Sequence, residues 1–221
     1  MNTKYNRTYH LPFSPEVHSD DKVISTLEHL LNVEVIITEK LDGGNACIYT
    51  KKVFARSHSE EASHPSFSMI KQMLPMVDIH NKYFDYFIFG ENMQGIHSIE
   101  YSNLTSPFYI FNIKKGNKWL SWEEVEKIAS ELKIPTVPVI YKGIFKTEKD
   151  LKKFLDREIN KPSSLGGDRE GFVIRVAKAF EDKDFTKKIA KYVRKGHIQT
   201  DKHWSKNWKQ AKINFDFSNF F

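Results

Sequence analysis

The sequence has one cysteine, Cys47, among 221 residues. A single cysteine excludes an intrachain disulfide framework and a cysteine-rich zinc site. No stretch approaches the roughly 20 consecutive apolar residues that a membrane-spanning helix needs. Residues 1–10 are polar and lack the apolar segment of a secretory signal peptide. These absences predict a cytoplasmic protein that does not contact a membrane.

The composition contains no internal repeat and no low-complexity linker. Apolar residues make up 40% of the chain and aromatic residues 14%, which is enough for a packed core. The formal charge is +6 and the isoelectric point is about 9.1. This modest basic excess favours a polyanionic partner such as nucleic acid, although many solvated protein surfaces carry a similar charge.

Hydrophobic periodicity predicts a mixture of strands and helices. Residues 33–38 are rich in β-branched side chains, which is typical of a strand, whereas residues 21–31 have the apolar spacing of a helix. Further strands are predicted at 46–50, 53–56, 83–91, 108–113 and 172–176, and further helices at 67–76, after Ser121 and after Thr147. Because strands and helices do not alternate regularly, we predict an α+β fold.

Lys40 stands at the end of the predicted strand 33–38, directly before a turn that contains Gly43 and Gly44. A lysine amine becomes a nucleophile when burial or a nearby cation lowers its pKa. Taken alone, a lysine at a strand end is more often one that reaches water. The interpretation of Lys40 therefore depends on the residues around it.

Residues 39–45 read Glu-Lys-Leu-Asp-Gly-Gly-Asn, which resembles motif I of the covalent lysyl-nucleotidyltransferases. That superfamily contains the ATP-dependent RNA and DNA ligases and the mRNA capping enzymes. The asparagine is similar to the branch of RNA ligases that seal nicked or broken RNA. The resemblance implies that Lys40 attacks the α-phosphate of the nucleotide and forms a phosphoramidate. It also implies nucleotide-binding roles for Glu39 and for Asn45, which would orient the adenylylated end.

Three further segments resemble family motifs in the family's order. Arg56 stands where these ligases carry a phosphate-contacting arginine. Residues 89–91, Phe-Gly-Glu, resemble motif III and imply that Glu91 binds the ribose. Phe111, in the aromatic strand 108–113, resembles motif IIIa and implies stacking on the purine. If each segment occurred alone, we would interpret Arg56 as a surface residue, the Gly-Glu pair as a common dipeptide, and Phe111 as a core aromatic residue.

The last two motifs lie near the C-terminus. Residues 170–175, Glu-Gly-Phe-Val-Ile-Arg, resemble motif IV, which makes Glu170 the predicted ligand of a divalent metal. The implied cofactors are ATP and Mg²⁺, with Mn²⁺ as a substitute. Motif V requires a lysine that contacts the α-phosphate. Residues 187–194 supply Lys191 as the first choice, with Lys188 and Arg194 behind it, and a solvated basic run is the alternative.

The C-terminal stretch mixes cations with aromatic side chains, a combination that holds phosphates and stacks on unpaired bases. Its relevant residues are His197, Lys202, His203, Trp204, Lys206, Trp208, Lys209 and Lys212. We predict RNA-binding roles for Arg194, Trp204 and Trp208. A basic helix that docks through its tryptophans is an equal alternative.

The resemblance spans about residues 34–204, with two departures. Asn112 stands where RNA ligases often have an acidic residue, and the chain has no room for the OB-type or helical domain that follows the catalytic domain in many ligases. A partner protein could supply that missing RNA-binding surface. The resemblance implies a nucleotidyltransferase fold with antiparallel sheets flanked by helices. It predicts a single adenylyltransferase domain over residues 1–221, with a basic, aromatic extension from about residue 195.

Taken together, the motifs predict an ATP-dependent RNA ligase that joins 3′-hydroxyl and 5′-phosphate ends through lysyl-AMP and RNA-adenylate intermediates. Three alternatives remain open at this point. They are a GTP-using mRNA guanylyltransferase, a DNA ligase, and a catalytically inactive RNA-binding module that keeps the fold. Retention of Lys40, Glu91 and Glu170 argues against the inactive module.

Overall fold

A computed structural model describes residues 4–56, 60–77, 82–196 and 208–220. Short strands dominate it, as the frequent β-branched and aromatic runs predict. The strands are β1 (Tyr9–His10), β2 (Glu34–Lys40), β3 (Gly44–Tyr49), β4 (Lys52–Ala55), β5 (Tyr86–Asn92), β6 (Gly95–Ile96), β7 (Phe108–Lys115), β8 (Lys118–Trp119), β9 (Val139–Ile144), β10 (Gly171–Val176), β11 (Phe180–Glu181), β12 (Ile189–Val193) and β13 (Lys209–Gln210).

The helices are short and amphipathic. They are α1 (Ser68–Met73), α2 (Trp122–Glu131), α3 (Glu148–Glu158) and α4 (Phe185–Lys188), with 3₁₀ turns at Pro65–Phe67, Leu74–Met76, Asp182–Asp184 and Phe217–Phe220. Ser121 and Glu124 form the predicted capping box at the start of α2, and Thr147 caps α3 by accepting from the Asp150 amide. Both of these predicted helix starts are confirmed.

One sheet has five strands in the order β1-β12-β10-β2-β9, and the other has six in the order β11-β8-β7-β5-β3-β4. Neighbouring strands within both sheets pair antiparallel, except that β1 runs parallel to β12. The predicted α+β class with antiparallel sheets is confirmed. In the first sheet, Lys40 pairs with Gly171, which pairs with Val193. This register brings the ends of β2, β10 and β12 together.

Two hydrophobic clusters form the core. One packs α1 and α2 against the six-stranded sheet, through residues such as Ile70, Val125 and Ile113. The other joins α3 to the five-stranded sheet through residues such as Leu151 and Phe172. The helices are therefore closely packed on the sheets, and this packing fixes the positions of the strand ends that carry polar residues.

The predicted helix over residues 21–31 is wrong. Its apolar residues Ile24, Leu27 and Leu30 are buried as the pattern required, but the backbone follows irregular turns. The amide of His10 donates to the Lys22 carbonyl at 2.7 Å, and the amide of Ile24 donates to the His10 carbonyl at 2.9 Å. The segment uses its hydrogen-bonding groups on β1 instead of on a helix of its own.

The C-terminal segment that the structure describes is not an α-helix. β13 pairs with β6, and the Ala211 amide donates to the Gln94 carbonyl at 2.9 Å. Phe215 and Phe217 pack on the cluster around the six-stranded sheet. Within residues 208–220, the alternative of a docked basic helix is therefore wrong.

No helix within the described ranges is long and apolar enough to cross a membrane.

Candidate active site

Lys40 is the last residue of β2, and the turn that follows is fixed by Asp42. The Asp42 carboxylate accepts hydrogen bonds from the amides of Ser98 and Ile99, each at 2.7 Å. A Cβ atom on Gly43 would lie 2.6 Å from the Asn92 carbonyl oxygen, so only glycine allows this close approach to β5. The motif around Lys40 therefore has a structural purpose, which is to hold the turn rigidly beside the lysine.

The Lys40 ammonium contacts the carboxylate of Glu170 directly. The two residues are adjacent because Glu170 immediately precedes Gly171, the residue that pairs with Lys40 across the sheet. Glu170 is buried and the Lys40 side chain is 29% exposed, so one side of the ion pair opens to solvent. The structure thus brings together two residues predicted from separate motifs.

Charge around Lys40 controls its protonation. Burial alone would lower the pKa of Lys40, but the carboxylates of Glu170 and Glu91 outweigh burial and hold this pKa above its ordinary value. In the ligand-free protein Lys40 is therefore a cation and a poor nucleophile. Activation requires that positive charge arrive near these carboxylates, which would lower the Lys40 pKa again.

Glu91 lies on β5 and pairs with Asn45 on β3, so their side chains share a face of the six-stranded sheet. Burial is the largest influence and raises the pKa of Glu91 to about 8; the charge of Lys40 opposes this rise, while Glu170 adds to it. The Asn45 Oδ1 atom is buried and has no hydrogen-bond partner in the described part of the chain. A buried acceptor of this kind fits a site that a ligand completes.

Glu91→Gln is expected to flatten the pH dependence of stability. Between the ordinary Glu91 pKa of 4.5 and the folded value of about 8, the folded state keeps a proton that the unfolded chain has released. Wild-type stability therefore falls as pH rises through this window, by on the order of a few kcal/mol. Glutamine removes that contribution. Urea unfolding of both proteins at about pH 5 and about pH 8 measures this contribution. If the wild type and the variant differed in free energy of unfolding by the same amount at both pH values, the assignment would be contradicted.

Arg56 and Phe111 flank this group. Arg56 is exposed directly after β4, its amide donates to the Asn45 carbonyl at 3.2 Å, and its charge acts on Glu91. Phe111 falls at a register shift between β5 and β7, beside Phe89. Such bulges redirect side chains. The Phe111 ring is partly exposed and meets Tyr5 edge-on at 4.9 Å, so it is held on one side and open on the other.

Of the two predicted motif V lysines, only Lys191 lies at the site. Lys191 pairs with Val173, which pairs with Thr38, two residues before Lys40. Since alternate residues share a face, Lys191 and Lys40 project from the same face of the sheet. The charge of Lys40 contributes to a lowered Lys191 pKa, for which burial is the main cause. Lys188 ends α4 and precedes β12, about 10 Å along the chain from Lys191.

The Glu39 side chain does not join this group. It lies on the opposite face of β2, where Arg169 donates to Oε1 at 2.9 Å and Ser163 Oγ donates to Oε2 at 2.5 Å. Both Glu39 and Arg169 are buried. The predicted nucleotide-binding role is therefore not available to the Glu39 carboxylate, and any nucleotide contact by this residue falls to its backbone.

Glu39→Gln is expected to lower the free energy of unfolding by about 3–5 kcal/mol, because it leaves the Arg169 guanidinium buried without its counter-charge. Chemical denaturation measures this loss. Replacing both partners, as Glu39→Gln with Arg169→Met, should recover part of it. A single variant as stable as the wild type would contradict the account of this pair.

Of the predicted RNA-binding residues, Arg194 and Trp208 are described by the structure, and they lie in different places. The Arg194 amide donates to the Glu170 carbonyl at 3.0 Å, and its guanidinium donates to Asp168 at 3.0 Å. Trp208 precedes β13 and meets the His64 ring edge-on at 5.7 Å. Trp204 lies outside the described residues. Arg194 therefore adjoins the Lys40–Glu170 pair, whereas Trp208 lies beside β6.

Sequence reasoning missed two residues at the site. His97 approaches Gly44, and its pKa is lowered mainly by burial and further by the charge of Lys40. Asp21 contacts Lys191 Nζ at 3.3 Å. Neither lies in a recognisable motif, and only the tertiary fold brings them to Lys40.

The donor set suits a hard divalent cation. Carboxylates of Glu170 and Glu91 act on the same lysine, and Mg²⁺ is commonly bound through one or two carboxylates together with substrate phosphates. Within the described residues, no group of three or more His, Cys, Asp or Glu side chains could hold a metal ion. The buried Glu170 carboxylate is a ligand of the type that Mg²⁺ shares with substrate phosphates.

Asn112 is an interior residue. Its Oδ1 accepts a hydrogen bond from Arg175 at 2.7 Å, and both residues are buried. Asn112 therefore supplies a neutral acceptor for the Arg175 guanidinium in the interior.

Comparison with known proteins defines the class to which this site belongs. A family model described as RNA ligase matches residues 33–193. This chain therefore belongs to the RNA ligase family. No match was found among functionally curated protein sequences.

Solved structures share the fold at low sequence identity. An archaeal ATP-dependent RNA ligase superposes with a TM-score of 0.57 at 14% identity, covering 86% of this chain and 48% of its own. A mutant Naegleria gruberi RNA ligase with ATP and Mn gives a TM-score of 0.57 at 16% identity, with coverages of 88% and 61%. A candidate ATP-dependent DNA ligase from Aquifex aeolicus gives 0.55 at 22% identity, with coverages of 86% and 49%. The present chain thus spans about half the length of the first and third of these structures.

Proposed function

We propose that this protein is an ATP-dependent RNA ligase that joins a 5′-phosphate end to a 3′-hydroxyl end through a lysyl-AMP intermediate. The observation that carries the proposal is the direct contact between Lys40 and Glu170, with Glu91, Asn45 and Lys191 grouped around them. Family membership over residues 33–193 favours RNA as the substrate class.

In the proposed first step, neutral Lys40 attacks the α-phosphorus of ATP. A nitrogen–phosphorus bond forms and the bond from phosphorus to the pyrophosphate oxygen breaks. The nitrogen, which becomes positively charged as it bonds, then loses one proton to solvent. Phosphoryl transfer depends mainly on positioning and on neutralising charge. Lys191 and Arg56 supply positive charge on the side where the α-phosphate and the leaving pyrophosphate would lie.

In the next steps, AMP passes to the 5′-phosphate of one RNA end, which releases Lys40. The 3′-hydroxyl of the other end then attacks that phosphate, and AMP leaves as the strand closes. Asn45 would orient the adenylylated end, and Glu91 and Phe111 would hold the nucleoside. Lys40 is thus consumed and regenerated in each cycle.

Glu170 is the residue that would hold Mg²⁺, with Mn²⁺ as a substitute. When bound, the ion supplies a positive charge that stabilises the phosphate oxygens. Its charge would also offset the carboxylates that keep Lys40 protonated. The Lys40–Glu170 ion pair is then the resting state of the site, and cation binding favours the neutral nucleophile.

We propose that Arg194 and Trp208 bind RNA, together with Trp204, which lies outside the described residues, and with any partner protein that supplies further RNA-binding surface. Arg194 follows β12 directly and adjoins Glu170 through its backbone. Trp208 offers an aromatic face for an unpaired base.

The proposed function is tested by incubating the protein with α-labelled ATP or GTP and Mg²⁺, followed by denaturing electrophoresis. Label from ATP that is chased into a 5′-phosphorylated RNA supports the proposal. Label from GTP alone would identify a guanylyltransferase, and a chase into DNA but not RNA would identify a DNA ligase. No label with either nucleotide would identify an RNA-binding module.

Phe111→Ala is expected to raise the KM for ATP in the adenylylation step by roughly 5- to 100-fold, because base–aromatic stacking contributes about 1–3 kcal/mol. The rate at saturating ATP should change less, since stacking supports ground and transition states alike. Phe111→Tyr is the matched control because it keeps the ring. An alanine variant with an unchanged KM would show that Phe111 is a packing residue only.

A further inference from the structure

The segment before β2 contributes to the site, although the family model begins only at residue 33. β1 pairs parallel with β12, so that His10 lies opposite Lys191. The Leu11 amide donates to the Lys191 carbonyl at 2.8 Å, which fixes this pairing on one side. A strand of two residues thus reaches the lysine that shares a face with Lys40.

Asp21 of this segment contacts the Lys191 ammonium, and His10 lies beside Asp21. Lys191 Nζ donates to Asp21 Oδ1 at 3.3 Å. The other Asp21 oxygen, Oδ2, lies 3.1 Å from His10 Nε2 and accepts from the His18 amide at 3.2 Å. The His18 amide therefore holds the Asp21 carboxylate, and the Arg7 guanidinium lies 3.7 Å from Oδ1, on the side that meets the lysine.

His10 is in turn locked in place. Its ring is only 2% exposed, and its Nδ1 forms a 3.0 Å hydrogen bond with Ser14 Oγ. The same Ser14 oxygen accepts from the Val193 amide at 3.0 Å, two residues beyond Lys191. Burial lowers the pKa of His10 to about 4, so the ring is neutral and leaves Asp21 to balance the charge of Lys191.

Lys191 lies close enough to Lys40 for both side chains to contact one phosphate. Two strand spacings and two residues separate its Cα from that of Lys40, which amounts to roughly 12 Å. Two extended lysine side chains on one face can meet across that distance at a single phosphate. A flexible lysine loses considerable rotamer entropy on being fixed, and a carboxylate that restrains it beforehand reduces that loss at the moment of reaction.

We propose that Asp21, held by the His18 amide beside the buried His10, is a positioning residue that restrains Lys191 for contact with the α-phosphate during lysyl-AMP formation. This inference rests on the proposed function, because it assigns Lys191 its phosphate. Asp21 itself touches Lys191 and not the nucleotide. It belongs to residues 4–32, a part of the chain to which the family motifs assign no role.

The test is a double-mutant cycle on the single-turnover rate of lysyl-AMP formation at saturating ATP. We expect Asp21→Asn to slow this rate by roughly 2- to 150-fold, the range that coupling between contacting side chains produces. Lys191→Ala should slow it at least as much. The double variant should be no slower than Lys191→Ala alone, because Asp21 acts through Lys191.

Two further variants separate positioning from folding. Asp21→Glu keeps the carboxylate and should recover part of the rate. Glu28→Gln is the matched control, since the Glu28 side chain is 71% exposed and contacts His29 instead of Lys191; it should react at the wild-type rate. Thermal unfolding of each variant checks that the fold is intact.

An Asp21→Asn rate equal to the wild type, or a loss that multiplies with that of Lys191→Ala, would overturn the inference while leaving the proposed function in place. No recovery in Asp21→Glu together with a lowered melting temperature in both Asp21 variants would assign Asp21 a structural role instead. No label on the wild-type protein would overturn the proposed function and this inference with it.

Discussion

Lys40→Ala should abolish covalent labelling of the protein by ATP, with a fall of more than roughly 10⁴-fold in the rate of adduct formation, the scale seen when a nucleophile is removed. The amine of Lys40 is the only atom of this side chain that can bond phosphorus, and it contacts Glu170 at the ends of β2 and β10. Single-turnover labelling measures the loss.

Lys40→Arg sharpens this prediction. Arginine keeps the positive charge beside Glu170, but its guanidinium stays protonated and cannot attack. It should therefore be as inactive as alanine while remaining better folded. Lys52→Ala is the control, because Lys52 is an exposed lysine on the neighbouring hairpin. Substantial labelling of Lys40→Arg would mean that Lys40 supplies charge and that another group is the nucleophile.

Glu170→Gln should lower the rate of adduct formation by roughly 10² to 10³-fold, the usual cost of losing one charged group that supports a transition state. The sign of this effect is informative, because two consequences oppose each other. Removing the carboxylate lowers the Lys40 pKa, which alone would produce more neutral amine and a faster reaction near neutral pH. Removing a metal-holding carboxylate slows the reaction. We expect the second consequence to dominate.

The measurement is the labelling rate at increasing Mg²⁺ concentration. Glu170→Gln should need more Mg²⁺ for half its maximal rate, whereas Glu181→Gln, at an exposed position on β11, should behave as the wild type. A Glu170→Gln variant that reacts faster than the wild type at every Mg²⁺ concentration would show that Glu170 only restrains Lys40.

The central part of the site could be predicted from local sequence. A β-branched run that ends in Lys40 and a glycine-containing turn defines β2 and the start of β3, since each feature acts within a few residues. Glu91 and Glu170 adjoin strands whose hydrophobic patterns are equally local. Their approach to Lys40 depends on which strands are neighbours in the sheets. The sequence indicated that approach only through its resemblance to a known family.

The side of the sheet on which Glu39 lies could also be predicted from the sequence. Successive residues of a strand point to opposite faces, so a site built around Lys40 excludes the Glu39 side chain. That side chain required a buried partner, and Arg169 supplies it from a position 130 residues away in sequence. No local pattern identifies such a partner.

The N-terminal segment shows where local reasoning fails. Ile24, Leu27 and Leu30 are buried at helical spacing, yet the Lys22 carbonyl and the Ile24 amide bond to His10 of β1, and no helix forms. β1 is two residues long and pairs with β12 from the other end of the chain. A pairing this short and this distant leaves no periodicity in the sequence, which is why Asp21 and His10 were not connected with Lys191.

The most direct test of the account is to locate the nucleotide on the protein. Wild-type protein is incubated with ATP and Mg²⁺, digested under conditions that preserve phosphoramidates, and its peptides are sequenced by mass spectrometry. The account predicts AMP on Lys40 and on no other lysine. AMP on Lys191 or on another residue, or an unmodified Lys40 in protein that still ligates RNA, would contradict it.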